Sequence, residues 1–336
     1  MATPEAVQLA PAGNSVLMHR NRHGFWWRFS RNRLAVVSLA VAILLILLAT
    51  AGPLWYGVDA NYQDYDAINS WPSSAHPLGA DSLGRDTLAR IMQGLRVSLT
   101  VAFYVELITI AVGATLGLLA GYAGGHVDNV ISRFADMLFA FPGLLFAILI
   151  AAVFGQAVTE RFGGIGRLLL VAGSLALVSW PLMARYVRGQ TLTLKERDFV
   201  GAARSIGASN GRIMRSHIMP GVIGLIVISA TLDVAAVVVN EAVLSLLGLG
   251  IQPPDPSVGQ MIRQSIDYLE TNWTQVLFPS LVLTLLVLVF SFVGDGLRDA
   301  VDPQSATHAE RSNAPPRRRL SRSISYPVAL SVVHML

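Results

Sequence analysis

Leu34-Ala35-Val36-Val37-Ser38-Leu39-Ala40-Val41-Ala42-Ile43-Leu44-Leu45-Ile46-Leu47-Leu48-Ala49-Thr50-Ala51-Gly52 carries no charge, and its only hydroxyls belong to Ser38 and Thr50. A helix of about 20 mostly apolar residues is what crosses the hydrocarbon core of a bilayer, and this run has that length. Five more stretches of the same kind follow, at 97–120, 137–154, 168–184, 221–247 and 277–293. In lipid, backbone polar groups must be satisfied within a helix or around a closed barrel. Runs this long and continuously apolar lack the alternation of barrel strands. The sequence therefore predicts an all-α, polytopic membrane protein with six transmembrane helices.

Composition points the same way. Of 336 residues, 53% are hydrophobic and only 14% charged, with a mean hydropathy of +0.53, whereas soluble domains carry about 25% charged residues. Cysteine is absent, which excludes disulfides, thiolate metal sites and a cysteine nucleophile. The seven histidines are scattered, and none falls at metal-ligand spacing. No G-x-x-x-x-G-K-[ST] phosphate loop occurs, so the chain has no such means of holding ATP. The first apolar run is not closely followed by a small-residue cleavage site, so it reads as a signal anchor that stays in the membrane.

Lysine and arginine near the helix ends set the orientation. Before the first run stand Arg20, Arg22, Arg28, Arg31 and Arg33. The loop 185–217 holds Arg185, Arg188, Lys195, Arg197, Arg204, Arg212 and Arg215 against Glu196 and Asp198, a net of +5. By contrast 53–96 and 248–276 each carry a net of −2. Both termini and the 185–217 loop are thus expected in the cytoplasm, with 53–96 and 248–276 outside. The chain divides into a basic cytoplasmic segment at 1–33, a transmembrane domain at 34–303 and a tail at 304–336. That tail, polar and containing Pro315-Pro316-Arg317-Arg318-Arg319, is expected to be disordered.

Several residues stand out from the apolar background. Gly113, Gly117 and Gly121 recur at four-residue spacing, which lets helix backbones approach closely. Glu106, Asp233 and Glu241, with Asn240 beside the last, lie inside predicted spans. Intramembrane ionisable groups cost roughly 2.5–3.5 kcal/mol on insertion scales and so face a cavity or a partner. They are candidates for a translocation path, the alternative being carboxyls that hold helices together. Trp180-Pro181 marks a kink or hinge, Phe25-Trp26-Trp27 an interfacial anchor, and Arg85-Asp86 a local ion pair.

The loop itself reads Phe199-Val200-Gly201-Ala202-Ala203-Arg204-Ser205-Ile206-Gly207, then His217-Ile218-Met219-Pro220. Two short helical patches flank Gly207, forming a knob that a soluble partner can grip. This segment resembles the coupling loop of ABC-importer permeases, E-A-A-x3-G-x9-I-x-L-P, with Ala202, Ala203, Gly207 and Pro220 at matching positions. Gly201 stands where that family has glutamate, and His217 and Met219 replace its Ile and Leu. Further blocks, in order, are similar to the dipeptide/oligopeptide/nickel permease family and to its C-type subunit. They are His76-Pro77-Leu78-Gly79-Ala80-Asp81, Gly121-Tyr122-Ala123-Gly124-Gly125-His126-Val127-Asp128, Leu244-Ser245-Leu246-Leu247-Gly248-Leu249-Gly250 and Gly294-Asp295-Gly296-Leu297-Arg298-Asp299.

The resemblance implies a type I ABC-importer permease fold in the bacterial cytoplasmic membrane, importing dipeptides, oligopeptides or a similar small solute. It implies a second, B-type permease as partner, one or two ABC ATPase subunits, and an extracytoplasmic substrate-binding protein. ATP and Mg²⁺ would bind on the ATPases, leaving this chain with no cofactor, no catalytic residue, no metal site and no nucleic-acid partner. Gly201, Ala202, Ala203, Gly207 and Pro220 would form the docking element. A secondary transporter driven by an ion gradient, with Asp233 and Glu241 as ion sites, is the competing expectation. An intramembrane enzyme lacks any paired nucleophile and base.

Overall fold

The computed structural model describes residues 25–301; positions 1–24 of the basic segment expected at 1–33, the last two residues of the domain expected at 34–303, and the tail expected at 304–336 lie outside the described residues. Within them the chain is helical, with no strand and a single isolated bridge between Ala80 and Asp86. A short α1 (Phe25–Arg31) is followed by α2 (Arg33–Thr50), whose first turn is capped by Asn32 accepting from the Ala35 amide at 3.2 Å. An Asn at this position satisfies one of the amides that a helix start leaves unpaired. After α3 (Gly52–Tyr56) comes an irregular segment, then α4 (Thr87–Thr109), capped by Asp86. A wide π turn at Ile110–Ala114 joins α4 to α5 (Thr115–Ala123).

Gly124, at φ 65° and ψ −163°, separates α5 from α6 (Gly125–Phe139). Then α7 (Gly143–Lys195) runs for 53 residues. A straight helix of that length would extend about 80 Å, far more than the ~30 Å hydrocarbon core. Gly163 resolves this, because its φ of 63° and ψ of −152° break the helix into two arms, 143–162 and 164–195. Beyond the break, Arg167 donates from Nε to the Gly250 carbonyl (2.8 Å) and from Nη2 to that of Leu249 (2.6 Å). At its far end α7 meets the start of α6, so the chain travels out to Gly163 and returns. The remaining elements are α8 (Asp198–Ser205), α9 (Asn210–Ile213), α10 (Met219–Leu246), α11 (Val258–Ser265) and α12 (Thr274–Val301).

Five helices among the described residues are long and apolar enough to cross a membrane. The six predicted runs fall largely within them, α7 containing most of two. The run predicted at 137–154 is not one helix: it spans the end of α6, a break at residues 140–142 and the first arm of α7. Pro142 supplies no amide to continue α6 and biases the residue before it away from helical torsions. The predicted 97–120 helix begins earlier, at Thr87, because Asp86 caps its first turns, where Arg90, Gln93 and Arg96 interrupt the apolar run.

Two apolar clusters organise the bundle. The larger joins α2, α4, both arms of α7, α10 and α12 through residues such as Leu45, Leu95, Val101, Leu175, Val238 and Leu286. The second joins α5, the returning arm of α7 and the α8–α10 region through Leu118, Val187, Val200, Ile213 and Val222. Gly113, Gly117 and Gly121 carry the approach between α5 and α7. A Cβ placed on Gly113 would lie 2.8 Å from Met183 Cβ, and one on Gly121 2.7 Å from Thr191 Cβ. The small-residue spacing is used for close packing, as expected. Large side chains such as Leu44, Val130, Leu145 and Val153 remain on the outer surface, where lipid replaces water as their neighbour.

Candidate functional site

The α8 helix has two faces. Val200 and Ala203 are buried in the second cluster, whereas Phe199, Gly201, Ala202, Ser205 and Ile206 are exposed. Ile206 is 85% exposed at the end of this face. The helix ends as a Schellman motif: the Gly207 amide donates to the Arg204 carbonyl (2.9 Å) and the Ala208 amide to that of Ala203 (3.0 Å). Gly207 therefore adopts φ +81°, a left-handed torsion that a side chain would strain. Ser209 then caps α9, and a π turn at Met214–Ile218 leads into α10, with Pro220 exposed in its first turn. A Cβ on Gly201 would meet nothing within 4 Å.

Tyr122 holds α8 and α9 to the end of α5, and further side chains beside it join α5 and α6 to the returning arm of α7. The Tyr122 hydroxyl at the end of α5 donates to Asn210 Oδ1 at 2.8 Å, and the Arg204 guanidinium lies 5.7 Å above the Tyr122 ring. Lys195 donates to the Gly121 carbonyl at 3.1 Å. Two helical turns back, Arg188 donates from Nε and Nη2 to the two oxygens of Asp128, at 2.5 and 2.6 Å. These hydrogen bonds hold the Asp128 carboxyl below the usual carboxylate range, against the opposing effect of desolvation. Arg185 pairs with Asp136 and stacks 4.0 Å over the Phe139 ring. The knob is thus continuous with α5, α6 and the returning arm of α7. Tyr122, Asp128, Arg188 and Asn210 carry these ties, and no local pattern announces pairs 60 and 88 residues apart.

The intramembrane polar residues fall into different settings. Glu241 is fully enclosed: Ser98 donates to Oε2 at 3.0 Å and Ser245 to Oε1 at 2.7 Å, while Ser257 lies 3.1 Å from the Ser245 hydroxyl. The Ser98 hydroxyl also accepts from the Val258 amide at 3.3 Å. Glu241 thereby ties α10 to α4 and α11. Glu106, also buried, meets the carboxyl of Asp233, which lies between Glu106 and Ser179. No donor comes within hydrogen-bond distance of either Glu106 oxygen. Asp233 lines a cavity between α7, α10 and α12, and Asn240 is half-buried two turns further along α10.

On the opposite end, Arg85 does not pair with its neighbour Asp86 as the sequence suggested. Consecutive side chains point apart, so Arg85 Nε instead donates to Asp81 at 2.8 Å. Asp86 caps α4 through the Ala89 amide (2.8 Å), lies 2.9 Å from His76 Nδ1, and accepts from Tyr56 at 3.2 Å. Burial, reinforced by the Asp86 carboxylate, pushes the Tyr56 hydroxyl up to about 12. Among the described residues no group of three or more His, Asp or Glu side chains is arranged to hold a metal ion.

A reversing helical bundle with a short helix fixed across one end is the frame of a transport permease, and similarity to known proteins agrees with it. Residues 113–306 match the family described as "Binding-protein-dependent transport system inner membrane component". Residues 22–72 match "N-terminal TM domain of oligopeptide transport permease C". The chain belongs to this family of ABC-importer permeases, in its peptide/oligopeptide branch, and is an inner-membrane protein.

Among its relatives is the "Glutathione transport system permease protein GsiD" of Pectobacterium atrosepticum, 42% identical over 281 residues, covering 83% of this chain and 90% of that protein. The protein of the same name from Escherichia coli O157:H7 is 42% identical over 283 residues, covering 84% of this chain and 90% of its own length. The fold is similar to a chain of the inward-facing MetNI methionine ABC transporter, with a TM-score of 0.50 at 20% identity, covering 63% of this chain and 96% of that one.

Proposed function

We propose that this chain is the C-type permease of an ATP-driven importer of glutathione or a similarly sized peptide. It forms half of the translocation pathway beside a B-type permease. An extracytoplasmic binding protein delivers the solute, and ATP and Mg²⁺ bind on separate ATPase subunits. The chain crosses the membrane six times, with α7 contributing two crossings and both termini in the cytoplasm. The α8 helix docks an ATPase through Gly201, Ala202 and the exposed residues around them, with Ala203 and Gly207 fixing its shape and Pro220 starting α10. Movement of the ATPases then reaches the bundle through the Tyr122, Lys195 and Arg188 ties, as ligand energy biasing a two-state element. The substrate class is supported by relatives named as glutathione permeases.

The observation that carries the docking proposal is the division of α8. Its inner face, Val200 and Ala203, is packed into the bundle, while Phe199, Gly201, Ala202 and Ile206 are exposed on its outer face. The test is uptake of labelled glutathione and of alanyl-alanine into vesicles holding the complete importer. ATP-dependent uptake is expected. Uptake that persists with ATP depleted and an ion gradient intact would instead identify a secondary transporter.

A further inference from the structure

Between the returning arm of α7, α10 and α12 lies a cavity of about 420 Å³. That is within the ~300–1,000 Å³ of small-molecule sites. Leu182, Ile228 and Leu232 give it apolar walls, and Tyr186 and Ser229 add hydroxyls. Its two charged residues are of opposite sign, Asp233 and Arg298. Arg298 forms no ion pair among the described residues, and no basic side chain there reaches Asp233. Behind Asp233 stands Glu106, 7% exposed, whose oxygens receive no donor. A cationic group entering at Asp233 would meet a carboxyl pair that holds one negative charge at most, since adjacent buried carboxyls do not both ionise, in a setting of low dielectric.

The two residues stand on helices that pack directly together. Gly294 of α12 packs directly on Leu232, the residue before Asp233: a Cβ there would lie 3.4 Å from the Leu232 amide nitrogen. Arg298 is four residues further along α12, so its backbone is offset by about 6 Å along the axis and its long side chain can adjust the reach to a bound carboxylate. The α-amino and α-carboxylate groups of an extended dipeptide stand about 7 Å apart, at ~3.3–3.6 Å per residue. The apolar walls between them are chemically tolerant of varied side chains.

We propose that this cavity is a transit site for the zwitterionic backbone of a short peptide, with its α-amino group at Asp233 and its α-carboxylate at Arg298. The proposal rests on the importer reading above. It assigns recognition to the two backbone charges, leaving side-chain selection to other components.

The test is equilibrium binding of radiolabelled alanyl-alanine, N-acetyl-alanyl-alanine and alanyl-alanine amide to the assembled permease–ATPase complex in nanodiscs, without receptor. Saturable binding of the free dipeptide is expected, weakened about tenfold by Asp233→Asn or Arg298→Gln, the scale of one lost charge-assisted hydrogen bond. Asp233→Asn should leave the acetylated peptide unaffected, and Arg298→Gln the amide; such selective loss isolates each pairing. Arg298→Lys should restore part of the affinity. Should Asp233→Asn fail to assemble, the Arg298 pair of variants decides alone. Absence of saturable binding to the wild-type complex, or equal loss for all three peptides, overturns the site. ATP-driven uptake by the same complex with its receptor would then show that the importer reading survives.

Discussion

Arg188 presents a two-point hydrogen-bonded fork to Asp128, joining the returning arm of α7 to the first turn of α6 beside the coupling knob. Planar guanidinium–carboxylate pairs of this form add geometric specificity as well as attraction. The aspartate sits near the N-terminus of α6, where negative charge is also favoured.

Asp128→Asn should lower the melting temperature of the purified protein, by an amount corresponding to about 1 kcal/mol once solvent screening of the half-exposed arginine is counted. The sign with pH follows from the depressed carboxyl of Asp128. Its stabilisation is present above the ordinary aspartate range near pH 4 and is lost as pH falls through the lower native value. Melting curves of wild type and variant should therefore converge on acidification below about pH 4. A gap that stays constant down to the lowest measurable pH would argue against the pair as the source.

Gly207 is a conformational requirement rather than a contact. Its φ of +81° closes the Schellman turn, and a Cβ there would meet nothing within 4 Å. Gly207→Val should thus cost about 1–2 kcal/mol in backbone strain alone, deforming the end of α8. Asn tolerates this torsion better than other side chains. We expect Gly207→Leu and Gly207→Val to insert normally but to uncouple ATP hydrolysis from uptake, with Gly207→Asn close to wild type. Parallel measurement of ATPase activity and uptake checks this, and full coupling in Gly207→Leu contradicts it.

Much of this frame is legible in the sequence because lipid imposes a simple rule on long apolar runs, and glycine spacing imposes another on their contacts. Leu34 to Gly52 and the triplet Gly113, Gly117 and Gly121 are read correctly from one dimension for that reason. The break at Gly163 is not, since the sequence does not say which of Gly163, Gly164 and Gly166 turns the chain, or that any of them does. The acids show the limit most plainly. Glu106, Asp233 and Glu241 are indistinguishable as charges in apolar runs. Only the fold shows that serines from α4, α10 and the Ser257 turn enclose Glu241, while Asp233 opens on a cavity. The partner of a buried carboxylate is decided by residues such as Ser98, 143 positions away.

That separation predicts different behaviour for the acids. Glu241→Ala removes the acceptor for two buried hydroxyls, a loss of about 1–3 kcal/mol for groups left unsatisfied, and opens space in a packed core. Glu241→Gln retains an acceptor and the volume. Thermal melting in detergent should therefore fall sharply for Glu241→Ala and little for Glu241→Gln. Uptake by the stably inserted Glu241→Gln protein should stay near wild type; a large loss of transport without loss of stability would place Glu241 on the solute path instead.

Gly117 supplies a packing test independent of charge. A Cβ there would lie 2.9 Å from Val187 Cβ and press on the Ala184 backbone of the returning arm. Backbone cannot yield as a flexible side-chain end can, so α5 and α7 would have to separate. Gly117→Leu should reduce melting temperature more than the same change at Gly189, whose surroundings are open within 4 Å. Equal effects at the two positions would mean that the close approach contributes little.

Gly201 offers the most direct test of docking, because the fold places no demand on it. It lies on the exposed face of α8, and a Cβ there would meet nothing within 4 Å. Gly201→Ala should stabilise α8 slightly, by about 0.5–1 kcal/mol, the usual gain of alanine over glycine in a helix interior. Gly201→Glu brings in the carboxylate that the resembled loop carries at this position, with room for it to project outward. Both variants should therefore fold and insert as the wild type does. If α8 is the ATPase contact, Gly201→Trp should block assembly with the ATPases while leaving the melting temperature unchanged. Gly201→Glu should bind them at least as tightly as the native chain. Pull-down of the ATPases by tagged permease, read beside melting curves, separates the two effects. Normal assembly of the Gly201→Trp protein would move the docking surface away from this face of α8.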